Sequence, residues 1–167
     1  RVIPAMEFIR GAQGRLQRIP GEGARGGEVY VDYAHTPDGL ETVLNALRPH
    51  ATGRLIVVFG AGGDRDRAQR PMMGEIAGRL ADVAIVTDDN PRSEDAAAIR
   101  AQVRAGCPDA LEIGDRREAI HHAVSLMREG DVVVIAGKGH EQGQIVAGVI
   151  HPFDDATEAT EALRDHA

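Results

Sequence analysis

The sequence predicts an α/β protein built on a doubly wound, mostly parallel sheet of six strands, with one antiparallel edge strand and helices on both faces. Short apolar runs alternate along the chain with helix-spaced segments of about 10–15 residues, a pattern that requires right-handed crossovers between parallel strands. The length of 167 residues fits one domain. Apolar residues make up 43% of the chain but aromatic residues only 3%, which is typical of a core of Val, Ile, Leu and Ala.

The first two predicted strands are each followed by a helix. A β-rich run predicts a strand at 28–32, and Thr36 and Pro37 then supply the N-cap and the first residue of a helix. Its apolar face consists of residues at helical spacing: Leu40, Val43, Leu44 and Leu47. A continuous apolar run at 54–59 predicts a buried parallel strand. The next helix has Pro71 near its start and an apolar face of Met72, Met73, Ile76, Ala77 and Leu80.

The same alternation continues to the end of the chain. Further strands are predicted at 83–87, 110–113, 131–136 and 144–150, the last as the antiparallel edge strand. Further helices are predicted at 94–105 behind Ser93, from Asp115 to a stop at Gly130, and at 154–164. Asp115 followed three residues later by Glu118 forms a capping box, which is a specific signal for a helix start.

The segment before the first strand differs from the rest. Residues 1–27 contain six glycines between Gly11 and Gly27 and little periodicity, which predicts a linker followed by a loose hairpin arm around 15–19. Residues 28–167 are predicted to form the domain itself. The chain begins at Arg1 rather than at Met, which favours a piece of a longer protein.

Composition excludes several classes of function. A net charge of −7 and few aromatic residues argue against sequence-independent nucleic-acid binding. The single cysteine, Cys107, excludes a disulfide framework and a multi-cysteine zinc site, and favours a reducing compartment, so the protein is expected in the cytoplasm. The apolar runs are far shorter than the ~20 residues of a membrane span, so no membrane association is expected.

The densest polar clusters all follow predicted strands. They lie at 32–37, 60–67, 87–92 and 137–141. Because ligands bind at the carboxyl ends of parallel strands, these clusters are expected to share one cleft.

Two arginines in these clusters are candidate anion ligands. The glycine turn at 60–63 would let backbone N–H groups approach a phosphate or carboxylate, although it matches neither the Walker nor the G-x-G-x-x-G spacing. Arg65 follows this turn, and Arg92 follows Pro91, which restricts the backbone before it. A guanidinium binds carboxylate or phosphate in a bidentate manner. The alternative is that both arginines form surface salt bridges with Asp64, Asp66, Asp88 or Asp89.

Two further features leave alternatives open. Lys138 is the only lysine among 19 basic residues and follows a buried strand, so it is either selected for that position or a solvated loop residue. A metal site could combine His35, His140, Asp32 and Asp89. No paired-ligand spacing supports such a site, so no metal site is predicted.

Four motifs carry a resemblance to a known family. They are Val31-Asp32-Tyr33-Ala34-His35-Thr36-Pro37, Phe59-Gly60-x-Gly62-Gly63-Asp64-Arg65-Asp66, Thr87-Asp88-Asp89-Asn90-Pro91-Arg92-Ser93-Glu94 and Ala136-Gly137-Lys138-Gly139-His140-Glu141. In order and spacing they resemble the Rossmann-like C-terminal domain of the Mur ligases, and most closely the type that adds meso-diaminopimelate. The resemblance covers residues 13–155.

The resemblance implies an ATP-dependent ligase of peptidoglycan precursor synthesis. In that family, ATP phosphorylates the D-glutamate carboxylate of UDP-MurNAc-L-Ala-D-Glu, and the amine of the incoming amino acid attacks the acyl phosphate. The central domain of the full enzyme holds most of the ATP and Mg²⁺, and an N-terminal domain holds the UDP-sugar. This chain is therefore expected to bind meso-diaminopimelate and part of ATP, and to be inactive alone.

The resemblance also assigns residues, none of them catalytic within this chain. The residues expected to bind meso-diaminopimelate are Arg65, Asp89, Asn90, Pro91, Arg92, Gly137 and Glu141. The residues expected to contact ATP are Arg15, Asp32 and His35. The family usually reads Val-Pro-Gly-Arg-x-Glu around the first of these, whereas this chain reads Ala12-Gln13-Gly14-Arg15-Leu16-Gln17.

Three other functions remain as alternatives. One is a stand-alone nucleotide or amino-acid binding module, and another is a lysine-adding member of the same family. The third is a metal-dependent hydrolase that uses His35, His140 and the aspartates.

Overall fold

The computed structural model describes residues 12–21 and 26–167. Its strands are β1 (Gln17–Ile19), β2 (Glu28–Asp32), β3 (Leu55–Phe59), β4 (Val83–Val86), β5 (Leu111–Glu112), β6 (Val132–Ala136), β7 (Gly143–Val146) and β8 (Val149–Pro152). Its α-helices are α1 (Pro37–Leu47), α2 (Gln69–Leu80), α3 (Ala96–Arg104), α4 (Arg116–Leu126) and α5 (Asp155–Asp165), and a short 3₁₀ turn (Arg48–His50) follows α1.

The main sheet has six strands in the order β1-β2-β6-β3-β4-β5. Strands β2 to β6 pair in parallel, and β1 pairs antiparallel with β2. The predicted class, a mostly parallel six-stranded sheet with one antiparallel edge strand, is therefore confirmed.

The antiparallel edge strand comes from a different segment than predicted. The prediction placed it at 144–150, but Ala147 and Gly148 both have positive φ angles, of 49° and 77°. Two such residues form the tight turn of a β-hairpin. The segment therefore folds back on itself as the separate pair β7-β8, with Val146 opposite Val149.

Part of the predicted arm supplies the edge strand instead. Strand β1 pairs with β2 through Gln17↔Val31 and Ile19↔Val29, and the Ile19 side chain is buried against the sheet. The described part of the arm, residues 12–21, thus adds to the sheet. The rest of the predicted linker, residues 1–11 and 22–25, lies outside the described residues.

Apolar layers cover both faces of the sheet. Every residue of β3 and β6 is buried, as expected for central parallel strands. Helices α1, α2 and α3 pack on the face that carries Val57 and Val134. Helices α4 and α5 pack on the face that carries Ile56 and Val133. This doubly wound arrangement leaves the carboxyl ends of β2, β6, β3 and β4 open at one edge.

Two helix N-caps follow the sequence signals, but helix α4 ends at Leu126, before the predicted stop at Gly130, because the backbone of Met127 is already extended. The Thr36 hydroxyl accepts a hydrogen bond from Gly39 N at 3.1 Å, and the Asp115 carboxylate accepts one from Glu118 N at 2.9 Å. Ser93 was predicted to precede the third helix, but Asp95 caps it. The Ser93 hydroxyl instead donates to the Asp64 carboxylate, which ties the two loops together. Within the described ranges, no helix is long and apolar enough to cross a membrane.

Helices α2 and α3 approach closely at a glycine. A Cβ on Gly74 would clash with the backbone carbonyl of Val103, whereas a Cβ on Gly78 would lie 3.0 Å from the Cys107 thiol. Gly74→Ala is expected to lower the free energy of unfolding by about 1–2 kcal/mol, because the backbone clash outweighs the gain in helix propensity. Gly78→Ala is the matched control and is expected to be neutral or to stabilise by up to about 1 kcal/mol. Urea denaturation measures both; equal effects would contradict the close helix contact.

Candidate functional site

A cavity of about 300 Å³ opens at the carboxyl edge of the sheet. Six of the seven residues predicted to bind meso-diaminopimelate line it: Arg65, Asp89, Asn90, Arg92, Gly137 and Glu141. The seventh, Pro91, lies behind the glycine turn, where a Cβ on Gly63 would clash with the Pro91 carbonyl. The structure thus brings three separate loops to one cavity, and the role of each residue stays a prediction.

Two of the arginines that line the cavity, Arg65 and Arg92, have no acidic partner among residues 12–21 and 26–167. The aspartates that could have paired with them are engaged elsewhere. Asp88 pairs with Arg100, Asp64 accepts hydrogen bonds from Ser93, and Asp66 accepts one from Ala68 N. The fourth, Asp89, lies 4.0 Å from the ammonium of Lys138. The surface salt-bridge interpretation of both arginines is therefore wrong in this structure, and their guanidinium groups are available to a ligand.

The β7-β8 hairpin holds the backbone of Arg92 in an uncommon conformation. Arg92 has a φ of 53°, in the left-handed region that side chains other than glycine rarely adopt. Its N–H donates to Ile145 O at 2.9 Å, and its carbonyl accepts from Ala147 N at 2.8 Å. The guanidinium donates from Nη1 to Gly63 O at 2.9 Å. Backbone and side chain are thus both held in place, so the arginine is oriented before any ligand binds.

Acidic and amide groups form the opposite wall of the cavity. The Asn90 amide donates from Nδ2 to Glu141 Oε2 at 3.2 Å. Behind it lies Lys138, whose side chain is fully buried. Burial lowers the pKa of Lys138, and the nearby carboxylate of Asp89 opposes that shift. A Cβ on Gly137 would clash with the Asp89 carboxylate, so glycine is needed where this wall meets strand β6.

A second cavity of about 470 Å³ lies beside the first and contains all three residues predicted to contact ATP. Arg15 lies with its guanidinium carbon 5.6 Å from the centre of the Tyr33 ring, in cation–π contact. The His35 ring packs against the same ring at a tilt of 60°, with centroids 4.6 Å apart. Tyr33, His35 and Thr36 line both cavities, so ligands in the two would be neighbours.

The Asp32 carboxylate already has backbone partners. It accepts hydrogen bonds from Leu16 N and from Ala34 N, both at 2.8 Å. The first of these ties the arm to the end of strand β2. Asp32 therefore positions Arg15 and its neighbours, whatever contact it makes with a nucleotide.

Metal ligands do not converge in the parts of the chain that the structure describes. No group of three or more His, Cys, Asp or Glu residues is placed to hold an ion there. The combination of His35, His140, Asp32 and Asp89 is thus not assembled as a ligand set. His35 Nδ1 instead lies 2.8 Å from Tyr33 O.

Two buried arginines were missed by the sequence analysis. Arg70 is 1% exposed, lines the first cavity, and bonds to Gly62 O at 3.0 Å and to the Glu94 carboxylate. It lies on the same helical face as Met73 and Ala77, so a charged residue on an apolar face was the available signal. Its contacts fix the glycine turn against the loop that carries Arg92.

The second missed residue, Arg116, lies behind the site. Its guanidinium forms two hydrogen bonds to Asp155, at 2.8 and 2.7 Å, and both side chains are fully buried. It also donates to Ala136 O at 3.1 Å and to Asp88 O at 3.3 Å. These carbonyls follow strands β6 and β4, so one arginine joins two loops of the site to helix α5.

Glu94 is expected to make the stability of the fold depend on pH in the acid range. Its hydrogen bond with Arg70, followed by one from Asp64 N, lowers the pKa of Glu94 from 4.5 to about 2. Because the folded-state pKa is depressed, the stability that Glu94 contributes is complete above pH 4.5 and is lost as the pH falls towards 2. Glu94→Gln is expected to flatten the dependence of the thermal midpoint on pH across that window. Glu41→Gln, which removes an exposed partner of Arg79, is the control; identical acid profiles for Glu94→Gln and the unmodified protein would contradict the role of this pair.

Comparison with known sequences shows which family the chain belongs to. A family profile described as "Mur ligase, glutamate ligase domain" matches residues 14–139, which include most of both cavities. The chain belongs to the Mur ligase family.

Relatives within the Mur ligase family are longer than this chain. A Caulobacter vibrioides protein named UDP-N-acetylmuramoyl-L-alanyl-D-glutamate–2,6-diaminopimelate ligase is 69% identical over 163 residues, covering 98% of this chain and 33% of the relative. The chain thus spans about a third of the length of that relative. A solved structure of a ligase of the same name superposes with a TM-score of 0.83 at 46% identity, over 93% of this chain and 32% of that one.

A more distant structure shows the same fold. It is a bifunctional folylpolyglutamate synthase/dihydrofolate synthase from Yersinia pestis, complexed with AMPPNP and a Mn ion, with a TM-score of 0.60 and 22% identity. The match covers 76% of this chain and 28% of that one. The fold is therefore shared well beyond the Mur ligases.

Proposed function

We propose that this chain is the amino-acid-binding domain of an ATP-dependent ligase that adds meso-diaminopimelate to UDP-MurNAc-L-Ala-D-Glu. The observation that carries the proposal is the charge pattern of the 300 Å³ cavity. Arg65 and Arg92 have no acidic partner among the described residues, while Asp89 and Glu141 line the same space. The names of the relatives with high identity agree with this substrate.

The cavity complements the two ends of diaminopimelate. The amino acid carries an ammonium and a carboxylate at each end, and one amine must stay free to attack the activated carboxylate. The arginines suit a carboxylate, and the acids suit the ammonium of the bound end. Holding that end places the free amine at a fixed position, which converts the attack into an effectively unimolecular step. Lysine has no second carboxylate, so binding it would leave Arg92 unpaired, which is a strong basis for rejection.

The second cavity supports a nucleotide contact from this domain. It lies beside the first and brings Arg15 and His35 to its wall, where a cation suits phosphate oxygens. We assign most of the ATP site, the Mg²⁺ that neutralises phosphate charge, and the UDP-sugar site to the rest of the full-length protein. The proposed location is the cytoplasm, where ATP is available.

The test compares two amino acids and two lengths of protein. The full-length protein is expected to form the tripeptide product from UDP-MurNAc-L-Ala-D-Glu and ATP with meso-diaminopimelate, and at least about 100-fold less efficiently with lysine. The 167-residue chain alone is expected to show no ATP hydrolysis. Equal use of lysine would overturn the substrate assignment, and ATP turnover by the isolated chain would overturn the assignment of the ATPase site.

A further inference from the structure

The only lysine of the chain lies beneath the cavity and does not reach solvent. The Lys138 side chain is 0% exposed, between the buried strand β6 and the loop that contains Asn90. Its ammonium donates to Asn90 Oδ1 at 2.9 Å and lies 3.5 Å from Glu141 Oε2 and 4.0 Å from Asp89 Oδ1. All three of these oxygens belong to residues that line the cavity.

The contacts of Asn90 determine how its amide is oriented. Asn90 Oδ1 accepts from Lys138 Nζ and from Ile145 N, both at 2.9 Å, which uses both lone pairs of the oxygen. The amide nitrogen must therefore point the other way, where it donates to Glu141 Oε2. The two donors to Asn90 Oδ1, Lys138 Nζ and Ile145 N, thus fix the amide nitrogen of Asn90 towards the cavity.

The position of the Glu141 carboxylate depends on Lys138 more than the position of the Asn90 amide does. The Glu141 side chain is 36% exposed, on the loop that follows β6. Among the described residues, Lys138 is the only cation within 4.0 Å of its carboxylate. Glu141 Oε2 lies 3.5 Å from the Lys138 ammonium and accepts the hydrogen bond from Asn90 Nδ2, so Oε1 is left for a ligand. Without the lysine, one neutral hydrogen bond would have to hold the carboxylate against solvation by water.

The chemistry of the pocket favours lysine over arginine. An ammonium is a compact charge, which suits one hydrogen bond to Asn90 Oδ1 with two carboxylates at 3.5 and 4.0 Å, whereas a guanidinium is a flat fork. Gly137 and Gly139, with φ angles of 124° and 55°, flank the lysine and let the turn pack tightly. Lys138 is the one lysine among 19 basic residues, and the other 18 are arginine.

We infer that Lys138 is a positioning residue for amino-acid recognition, which holds the Glu141 carboxylate and the Asn90 amide as one unit facing the cavity. It does not touch the ligand and acts through these two side chains. The identity of the ligand rests on the proposed function, but the positioning itself does not.

The first experiment needs no ligand. In NMR spectra of the 167-residue chain, the Asn90 side-chain amide protons are expected to show an NOE to the Glu141 methylene protons. Lys138→Met is expected to abolish that NOE because Glu141 turns to solvent, with backbone amide shifts outside 88–92 and 137–145 unchanged. Arg79→Met, which removes an exposed cation on α2, is the control and should retain the NOE. An NOE that survives Lys138→Met would overturn the inference.

The second experiment measures coupling in the full-length protein. Lys138→Met is expected to raise KM for diaminopimelate about tenfold or more, with KM for ATP changed less than about twofold. In a Glu141→Ala background, Lys138→Met is expected to raise KM for diaminopimelate less than about threefold, because the carboxylate through which Lys138 acts is already absent. The inference would be overturned if Lys138→Met raised KM for diaminopimelate by the same factor with and without Glu141→Ala. It would also be overturned if KM rose equally for diaminopimelate and ATP. A full-length protein that does not use diaminopimelate would refute the proposed function instead, and the NOE would still decide the role of Lys138.

Discussion

Replacing Arg92 with alanine is expected to weaken diaminopimelate binding by roughly 30- to 150-fold, which corresponds to about 2–3 kcal/mol. The reason is that a charge-assisted, geometrically fixed contact to the second carboxylate is lost. Because the Arg92 backbone is held by the hairpin and its guanidinium by Gly63 O, little of the contact energy is spent on ordering the side chain. The effect should therefore approach the upper part of this range.

Isothermal titration calorimetry of the full-length protein with meso-diaminopimelate measures this effect. Arg117→Ala is the matched control, because Arg117 is an exposed arginine on helix α4 that contacts Glu158 and Glu161 of helix α5 and does not line the cavity. It should leave the affinity unchanged. Lysine should bind the Arg92→Ala variant no worse than it binds the unmodified protein, since it has no second carboxylate to lose. Unaltered diaminopimelate affinity in the variant would refute the role of Arg92.

Asp155→Ala is expected to cause the largest loss of stability, about 3–5 kcal/mol. The change leaves the fully buried Arg116 guanidinium without its carboxylate, and a buried charge without a partner is costly. Arg116 would also be drawn away from the carbonyls of Ala136 and Asp88. Loss of the ion pair should therefore loosen the cavity wall as well as destabilise the fold.

Chemical denaturation of the 167-residue chain tests this expectation against two variants. Glu161→Ala removes an exposed acid from the same helix and should cost less than about 1 kcal/mol. The double variant Arg116→Met with Asp155→Leu should be more stable than Asp155→Ala, because it removes both buried charges. A double variant less stable than the single one would show that the carbonyl contacts of Arg116 matter more than its charge balance.

The sequence predicted the main elements because their signals are local. Apolar runs at 55–59 and 132–136, and the caps at Thr36 and Asp115, act within a few residues of where they are read. The edge strand was assigned to the wrong segment because strand partners are chosen across the chain. Residues 144–150 have strand-forming residues, but the turn at Ala147-Gly148 pairs them with each other.

The site could be predicted only in part for the same reason. The motifs that follow strands β2, β3, β4 and β6 were expected to share a cleft, because parallel strands place their carboxyl ends at one edge. The partners of Arg70 and Arg116 could not be found from the sequence, since they lie 24 and 39 residues away. No spacing rule connects such pairs.

By itself, the sequence determined the fold class, the family resemblance and the set of residues at the strand ends. Only the tertiary structure decided which charges remain available to a ligand. Asp64, Asp66 and Asp88 are engaged by other groups, so Arg65 and Arg92 face the cavity without acidic partners, and a buried lysine stands behind Asn90 and Glu141. The physical reason is that charge pairing depends on distance and burial, which are set by contacts between segments far apart in the chain.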